Sequence, residues 1–134
     1  MIAARAGRAR VTRICNTVVR VDIDGHAYAE FAEAMFEPVD ALLADTGRVF
    51  LGLDAEAMSS YDSRFRYLWT EWIKRHRDAI SGVHMLFRSR VAESAAIVIN
   101  AVTGEDKVET CSGRDAFEER LAAEVLSCRS RDAG

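Results

Sequence analysis

Val49-Phe50-Leu51-Gly52-Leu53 is a short and almost wholly apolar run near the middle of the chain. Runs of this kind are typical of a central strand that is covered on both faces of a sheet. A polar stretch, residues 54–63, follows it, and Phe65–Ile80 then repeats apolar side chains at the spacing of an amphipathic helix. The run and its surroundings therefore predict a buried strand, an exposed loop and a helix that packs on the sheet, with Asp62 or Ser63 as the helix N-cap.

The residues before this run predict a β-hairpin and a helix. In Val18–Asp24 apolar and polar side chains alternate, as in a half-buried strand, and Val11–Cys15 is its candidate hairpin partner. Tyr28–Ala44 has the periodicity of a helix, although Pro38 must remove one of its backbone hydrogen bonds. We therefore expect a kinked helix or two shorter helices at this place.

The residues after the central helix continue the alternation of strands and helices. We predict a strand at Val83–Phe87, a short helix at Ala92–Val102 that stops near Gly104, a strand at Val108–Cys111 and a final helix that begins at 112–115. Alternation of this kind is typical of an α/β domain with a largely parallel sheet. Its core should come from apolar residues that share these periodicities: Val21, Ile23, Phe31, Met35, Val49, Leu51, Leu53, Leu68, Trp72, Leu86, Ile99 and Leu121.

The length and charge of the chain limit its organisation and its partners. The 134 residues suit one domain, which we place at residues 11–127, between a flexible basic N-terminus at 1–10 and a frayed C-terminus at 128–134. The formal net charge of −3 argues against a nucleic-acid binder that depends on a global positive field. No apolar run is long enough for a membrane span, and the first residues lack the apolar region of a signal peptide.

The cysteines predict a reducing environment. Cys15, Cys111 and Cys128 are odd in number, and no pair has the spacing of a metal site or of a redox motif. We therefore expect three free thiols and a cytoplasmic location.

No motif for catalysis, for a metal ion or for a cofactor stands out in the sequence. His26, His76 and His84 lie outside metal-binding and nucleophile motifs, and no glycine-rich phosphate loop occurs. We therefore expect no catalytic residue, metal or cofactor, but a nucleophile and a base that meet only in space stay open. The basic residues of the central helix, with Arg88 and Arg90, form a solvated face in the interpretation that we favour and an anion-binding patch in the other.

The central strand and the start of the helix after it carry a short motif. Asp54 ends the apolar run, and Asp62-Ser63 follows eight positions later, at the start of the helix. This arrangement resembles the STAS domain, a family named for sulfate transporters and anti-sigma factor antagonists. The likeness covers about residues 11–126, because Val83–Phe87, Ser89 and residues 101–104 also follow the family's pattern.

The resemblance implies a mixed, largely parallel sheet of four or five strands packed with four or five helices. It also implies a non-enzymatic regulatory module whose protein partner is an anti-sigma factor or a serine kinase, and whose switch is phosphorylation of Ser63. A homodimer is compatible with this role. The partner would bind at the start of the helix, where the candidate residues are Ser60, Asp62, Ser63, Arg64 and Arg66.

The sequence departs from the family pattern directly after this motif. Arg64-Phe65-Arg66-Tyr67 stands where members usually have a hydroxyl residue, a glycine and small apolar residues. Two arginines and two rings would change the docking surface. A second hypothesis is a small-ligand or lipid-binding module with a cavity near Phe36, Trp69 and Trp72.

Overall fold

A computed structural model describes residues 2–4, 7–88, 90–103 and 108–133 of the chain. Ser89 and Gly104, which the sequence analysis assigned to the family pattern and to a helix end, lie outside the described residues. Within the described ranges, strands and helices follow one another in this order: β1 (Ile2–Ala4), β2 (Gly7–Cys15), β3 (Val18–Ala27), α1 (Ala29–Thr46), β4 (Val49–Tyr61), α2 (Ser63–His76), β5 (Ile80–Phe87), α3 (Arg90–Thr103), β6 (Val108–Cys111) and α4 (Arg114–Ala133).

The strands form one mixed sheet, whose order follows the chain from β1 to β6. β1, β2 and β3 pair antiparallel, and the pairs from β3 to β6 are parallel. α1, α2 and α3 pack on one face of the sheet, and α4 packs on the other. The predicted α/β fold with a largely parallel sheet is therefore confirmed: β2–β6 and the helices match the expected numbers, and the short β1 extends one edge.

Each face of the sheet has its own core. The larger core lies under α1–α3 and contains the buried rings of Phe31 and Trp72. The smaller core lies under α4, where Phe117 and Leu121 pack on β3, β4 and β5. Among the predicted core residues, Leu68 is partly buried and all the others are buried.

A glycine in β4 lets α4 approach the sheet closely. A Cβ atom at Gly52 would lie 2.8 Å from Cδ1 of Leu121, which is too close without a shift of that side chain. The packing of the smaller core therefore depends on the absence of a side chain at Gly52.

β4 is longer than predicted, since residues 54–61 form the second half of the strand instead of a loop. This half stays paired with β3 up to the last residue of both strands. Its polar residues fit a strand because Asp54 and Glu56 both bond to Arg114 at the start of α4. The polar residues of this segment predicted a loop, but their ion pairs with Arg114 stabilise a strand.

α1 is a single helix that runs through Pro38, rather than two shorter helices. Pro38 is exposed. The carbonyl group that loses its helical partner to the proline belongs to Ala34, which is partly exposed, so water can bond to it.

Both ends of the domain are more regular than predicted. Gly7–Arg10 belongs to β2, which pairs with β3 from Gly7 opposite Gly25, and α4 continues through residues 128–133. Residues 7–10 were predicted to be part of a flexible N-terminus at 1–10, but they lie in a strand. Residues 128–133 were predicted to be part of a frayed C-terminus at 128–134, but they lie in a helix. Hairpin hydrogen bonds hold the first segment, and a covalent link holds the second.

The prediction of three free thiols is wrong. Cys15 and Cys128 form a disulfide, with their Cα atoms 6.5 Å apart, and Cys111 is the free cysteine of the described residues. The link joins the end of β2 to the last turns of α4, across 113 residues of sequence. Spacing along the chain does not reveal such a pair, because α4 must first cross the sheet to the hairpin.

Candidate functional site

The carboxyl ends of β3 and β4 meet where α1 and α2 begin. His26 lies near the end of β3, directly opposite Ser60 of β4 in the parallel register. Asp62 follows β4, and its N–H donates to the carbonyl oxygen of Ala27 at 2.9 Å. This edge of a parallel sheet is where α/β domains commonly place their ligand and partner sites.

Three side chains form a continuous hydrogen-bonded line at this edge, which we call the histidine bridge: Ser60, His26 and Asp62. Nδ1 of His26 lies 2.6 Å from Oγ of Ser60, and Nε2 lies 2.7 Å from Oδ1 of Asp62. The other oxygen of Asp62, Oδ2, accepts the N–H of Ala29 at 2.9 Å. The bridge therefore joins β3, β4 and the starts of both helices.

The carboxyl group of Asp62 is held in its charged form. The hydrogen bond from His26 lowers the pKa of Asp62, and the hydrogen bond from the Ala29 N–H adds to this effect. Asp62 is the N-cap residue of α2, as predicted, with extended backbone at φ −71° and ψ 141°. Its side chain makes no capping hydrogen bond, so the first-turn N–H groups of α2 lack a side-chain acceptor from their N-cap.

The remaining predicted partner-binding residues lie on the first turn of α2. Ser63 is its first residue and is exposed, Arg64 is also exposed, and Arg66 is partly buried. Phe65 turns into the core, while the Tyr67 side chain stays 53% exposed. The structure thus brings all five candidate residues to one end of α2, and it ties Ser60 and Asp62 to His26.

Asp54, the other acidic residue of the family motif, belongs to a different cluster, which we call the α4 clamp: Arg20, Asp54, Arg114 and Glu118. Asp54 is buried, and its Oδ2 accepts hydrogen bonds from Arg20 at 2.8 Å and from Arg114 at 2.9 Å. Arg20 and Arg114 both reach Glu118 as well. The hydrogen bond to Asp54 raises the pKa of Arg114. This cluster fastens the start of α4 to the sheet.

Near the predicted place, the described residues leave only a small cavity for a ligand or a lipid. Phe36, Trp69 and Trp72 pack against one another, with ring centroids 4.9 to 5.7 Å apart, and fill the space between α1 and α2. An apolar cavity of about 30 Å³ lies nearby, between the sheet, α2 and α3. It has room for about one water molecule, whereas small-molecule sites measure on the order of 300–1,000 Å³.

The described residues also lack a metal site and a membrane-spanning helix. No group of three or more His, Cys, Asp or Glu in these ranges could hold a metal ion. No helix in the same part of the chain is long and apolar enough to cross a membrane.

Comparison with known proteins shows the fold. No family model matches this chain, and no curated protein matches it in sequence. One similar solved structure is an uncharacterized protein from the DUF3478 family with a SpoIIAA-like fold, from Shewanella loihica PV-4, which is 14% identical with a TM-score of 0.64 over 90% of this chain and 98% of its own. Another is the anti-sigma factor antagonist SpoIIAA in its unphosphorylated form, which is 10% identical with a TM-score of 0.61 over 86% of this chain and 97% of its own.

This chain therefore has a SpoIIAA-like fold, and the predicted resemblance to the STAS family is confirmed at the level of the fold. Sequence reasoning did not find His26. The predicted strand ended at Asp24, whereas β3 continues to Ala27 and includes His26. The register that places His26 opposite Ser60 also depends on how β3 and β4 align.

Proposed function

We propose that this protein is a regulatory protein-interaction module that docks a partner on the start of α2, and that phosphorylation of Ser63 switches the docking. The observation that carries the proposal is the exposure of Ser63 as the first residue of α2 in a SpoIIAA-like fold. A hydroxyl in this place is accessible to a kinase. The similar structure described as an anti-sigma factor antagonist in its unphosphorylated form supports the same kind of role.

The start of α2 is suited to a phosphate group. A helix N-terminus presents free N–H groups and about half a positive charge, and Asp62 does not occupy these groups with its side chain. Arg64 and Arg66 follow Ser63 within one turn and supply charge-assisted hydrogen bonds. Phosphorylation would therefore leave the fold intact while it changes the surface charge by about −1.5 to −2.

The partner that we propose is an anti-sigma factor or a serine kinase with an acidic contact surface. The exposed side of α2 carries Arg64, Lys74 and Arg75, and Tyr67 offers an exposed ring among them. Rings and arginines are enriched among the residues that contribute most to protein interfaces. A phosphate on Ser63 would repel an acidic partner from this surface.

The proposal includes a cytoplasmic location, binding rather than catalysis as the main role, and no nucleic-acid partner. A homodimer is compatible with this proposal, because two copies of the chain that associate through another surface would leave α2 of each copy accessible. Thiol reductants in the cytoplasm act against disulfides, so the Cys15–Cys128 pair has to resist them or exist there as thiols.

The test compares two variants of Ser63 with one control variant of another exposed serine. A partner captured from the source cells is purified, and its affinity is measured for the parent chain, Ser63→Ala, Ser63→Asp and the control Ser127→Asp, which changes an exposed serine of α4. We expect Ser63→Asp to change the affinity about tenfold or more, which corresponds to about 1.4 kcal/mol, while Ser127→Asp binds like the parent. Equal affinities for all four proteins would reject docking at the start of α2.

A further inference from the structure

The histidine bridge places a hydroxyl, an imidazole and a carboxylate in the order that activates a serine. A carboxylate only accepts hydrogen bonds, so Asp62 holds a proton on Nε2 of His26 at 2.7 Å. In a neutral imidazole the other nitrogen is then an acceptor. Nδ1 therefore accepts the O–H of Ser60, whose Oγ lies 2.6 Å away.

The bridge is held on rigid elements. Strand pairing places His26 opposite Ser60, and the Ala29 N–H fixes the second oxygen of Asp62. The ring of Tyr28 meets the imidazole edge-on, with centroids 4.6 Å apart, and limits its rotation. Sites built on strands and helix starts keep the geometry that catalysis needs better than sites on loops do.

The bridge is also open to solvent. The side chains of His26 and Asp62 are 26% and 39% exposed, and Ser60 is partly exposed. A small reagent can therefore reach the hydroxyl, whereas hydrogen bonding that only stabilised the fold would not need this access.

We propose that Ser60 is a nucleophile, with His26 as its base and Asp62 as the positioning residue, and that it accepts acyl groups from small activated esters. The Ser60 proton moves to Nδ1 as Oγ forms a bond to the acyl carbon, and the ester's C–O bond breaks as the leaving alcohol takes that proton. Water then hydrolyses the Ser60 ester and releases the acid. This activity does not require the switch at Ser63, and a phosphate on Ser63 would compete for the same N–H groups at the start of α2.

The helix after the bridge supplies donors for the charge that develops on the acyl oxygen. α2 begins three residues after Ser60, and its N-cap side chain leaves the first-turn N–H groups without a cap. Backbone N–H groups at a helix start stabilise an oxyanion in acyl transfer.

The test uses the intact chain, a fluorophosphonate probe and p-nitrophenyl acetate. The probe forms an O–P bond with a reactive serine and releases fluoride, and mass spectrometry then locates the label. We expect one label, on Ser60, and hydrolysis of the ester that falls about 100-fold in Ser60→Ala and in His26→Gln. The matched control is Ser59→Ala, which removes the exposed neighbouring hydroxyl and should behave as the parent.

A second measurement separates positioning from folding. Nitrogen NMR of the imidazole should show the proton on Nε2 in the parent chain and lose that preference in Asp62→Asn, with the thermal melting curve retained. No label on the parent, a label on another serine, or labelling that is unchanged in His26→Gln would overturn the proposal. Binding of the Ser63 variants to their partner would be unaffected by that failure, so the two proposals are tested separately.

Discussion

Two polar clusters are built across the same pair of strands, and they differ in charge, burial and use. In the α4 clamp, arginines surround a buried carboxylate and join the sheet to α4. In the histidine bridge, one carboxylate, one imidazole and one hydroxyl join the strand ends to the starts of α1 and α2, with solvent access. The clamp fastens α4 to the sheet through a buried carboxylate, whereas the bridge is exposed to solvent at the edge where we propose binding and chemistry.

The register of β3 and β4 separates the two clusters. Asp22 lies opposite Asp54 and His26 lies opposite Ser60, so four steps along β3 correspond to six along β4. The register shifts in two places between these pairs. Bulges of this kind re-aim side chains and are frequent next to functional sites. The extra residues of β4 are thus what bring Ser60 level with His26.

The largest expected effect concerns the end of α4, on the clamp side of the comparison. Titration of the unfolded chain without reductant should find one thiol, Cys111, and titration after reduction should find three. Reduction should lower the free energy of unfolding by about 4 kcal/mol, because the Cys15–Cys128 link closes a loop of 113 residues. Three thiols before reduction would show that the link does not form in solution.

A pair of aspartate variants tests the difference between the clusters directly. Asp54→Ala should lower the free energy of unfolding by about 2–3 kcal/mol, since it removes a buried carboxylate and leaves the partly buried Arg20 and the exposed Arg114 without their shared partner. Asp62→Asn should have a much smaller effect on stability, because its side chain is more exposed. Denaturant unfolding of both variants measures the difference, and equal losses would remove the distinction between clamp and bridge.

As the pH falls, the first loss of folding stability should come from His84, on the side of the sheet that α4 covers. His84 is buried against Phe117, and burial lowers the pKa of its imidazole below the ordinary 6.5. Arg120 lowers it further, and Glu109 acts in the opposite direction. Because the unfolded chain takes up the proton more readily, stability should be full above pH 6.5 and decline as the pH falls below that value.

The variant His84→Phe checks this effect, because it keeps an aromatic ring at this position and removes the group that takes up a proton. In His84→Phe the free energy of unfolding should change little between pH 7 and pH 5, whereas that of the parent chain decreases. The lowered pKa of Asp62 acts in a separate window, below its ordinary 3.8, so it does not interfere. A parallel decrease in both proteins would assign the acid sensitivity to another group.

Strands and helices whose apolar residues repeat at a regular spacing could be predicted from the sequence. Features that depend on strand register or on contacts between distant residues could not. Alternation predicted β3, and three- and four-residue spacing predicted α2 and the buried positions of α1. The second half of β4 was missed because its polar residues are stabilised by Arg114, sixty positions after Asp54. The disulfide and the role of His26 were missed for the same reason, since both depend on partners that only the folded sheet brings near.

The most direct test of the central claim is phosphosite mapping of the chain isolated from its source cells. Intact mass and fragment spectra would be recorded for the native protein, with the histidine bridge and the start of α2 covered by separate fragments. The account predicts a fraction of chains with a single phosphate, located on Ser63. Phosphate confined to other residues, or none in cells that contain the captured partner, would contradict the claim that Ser63 is the switch.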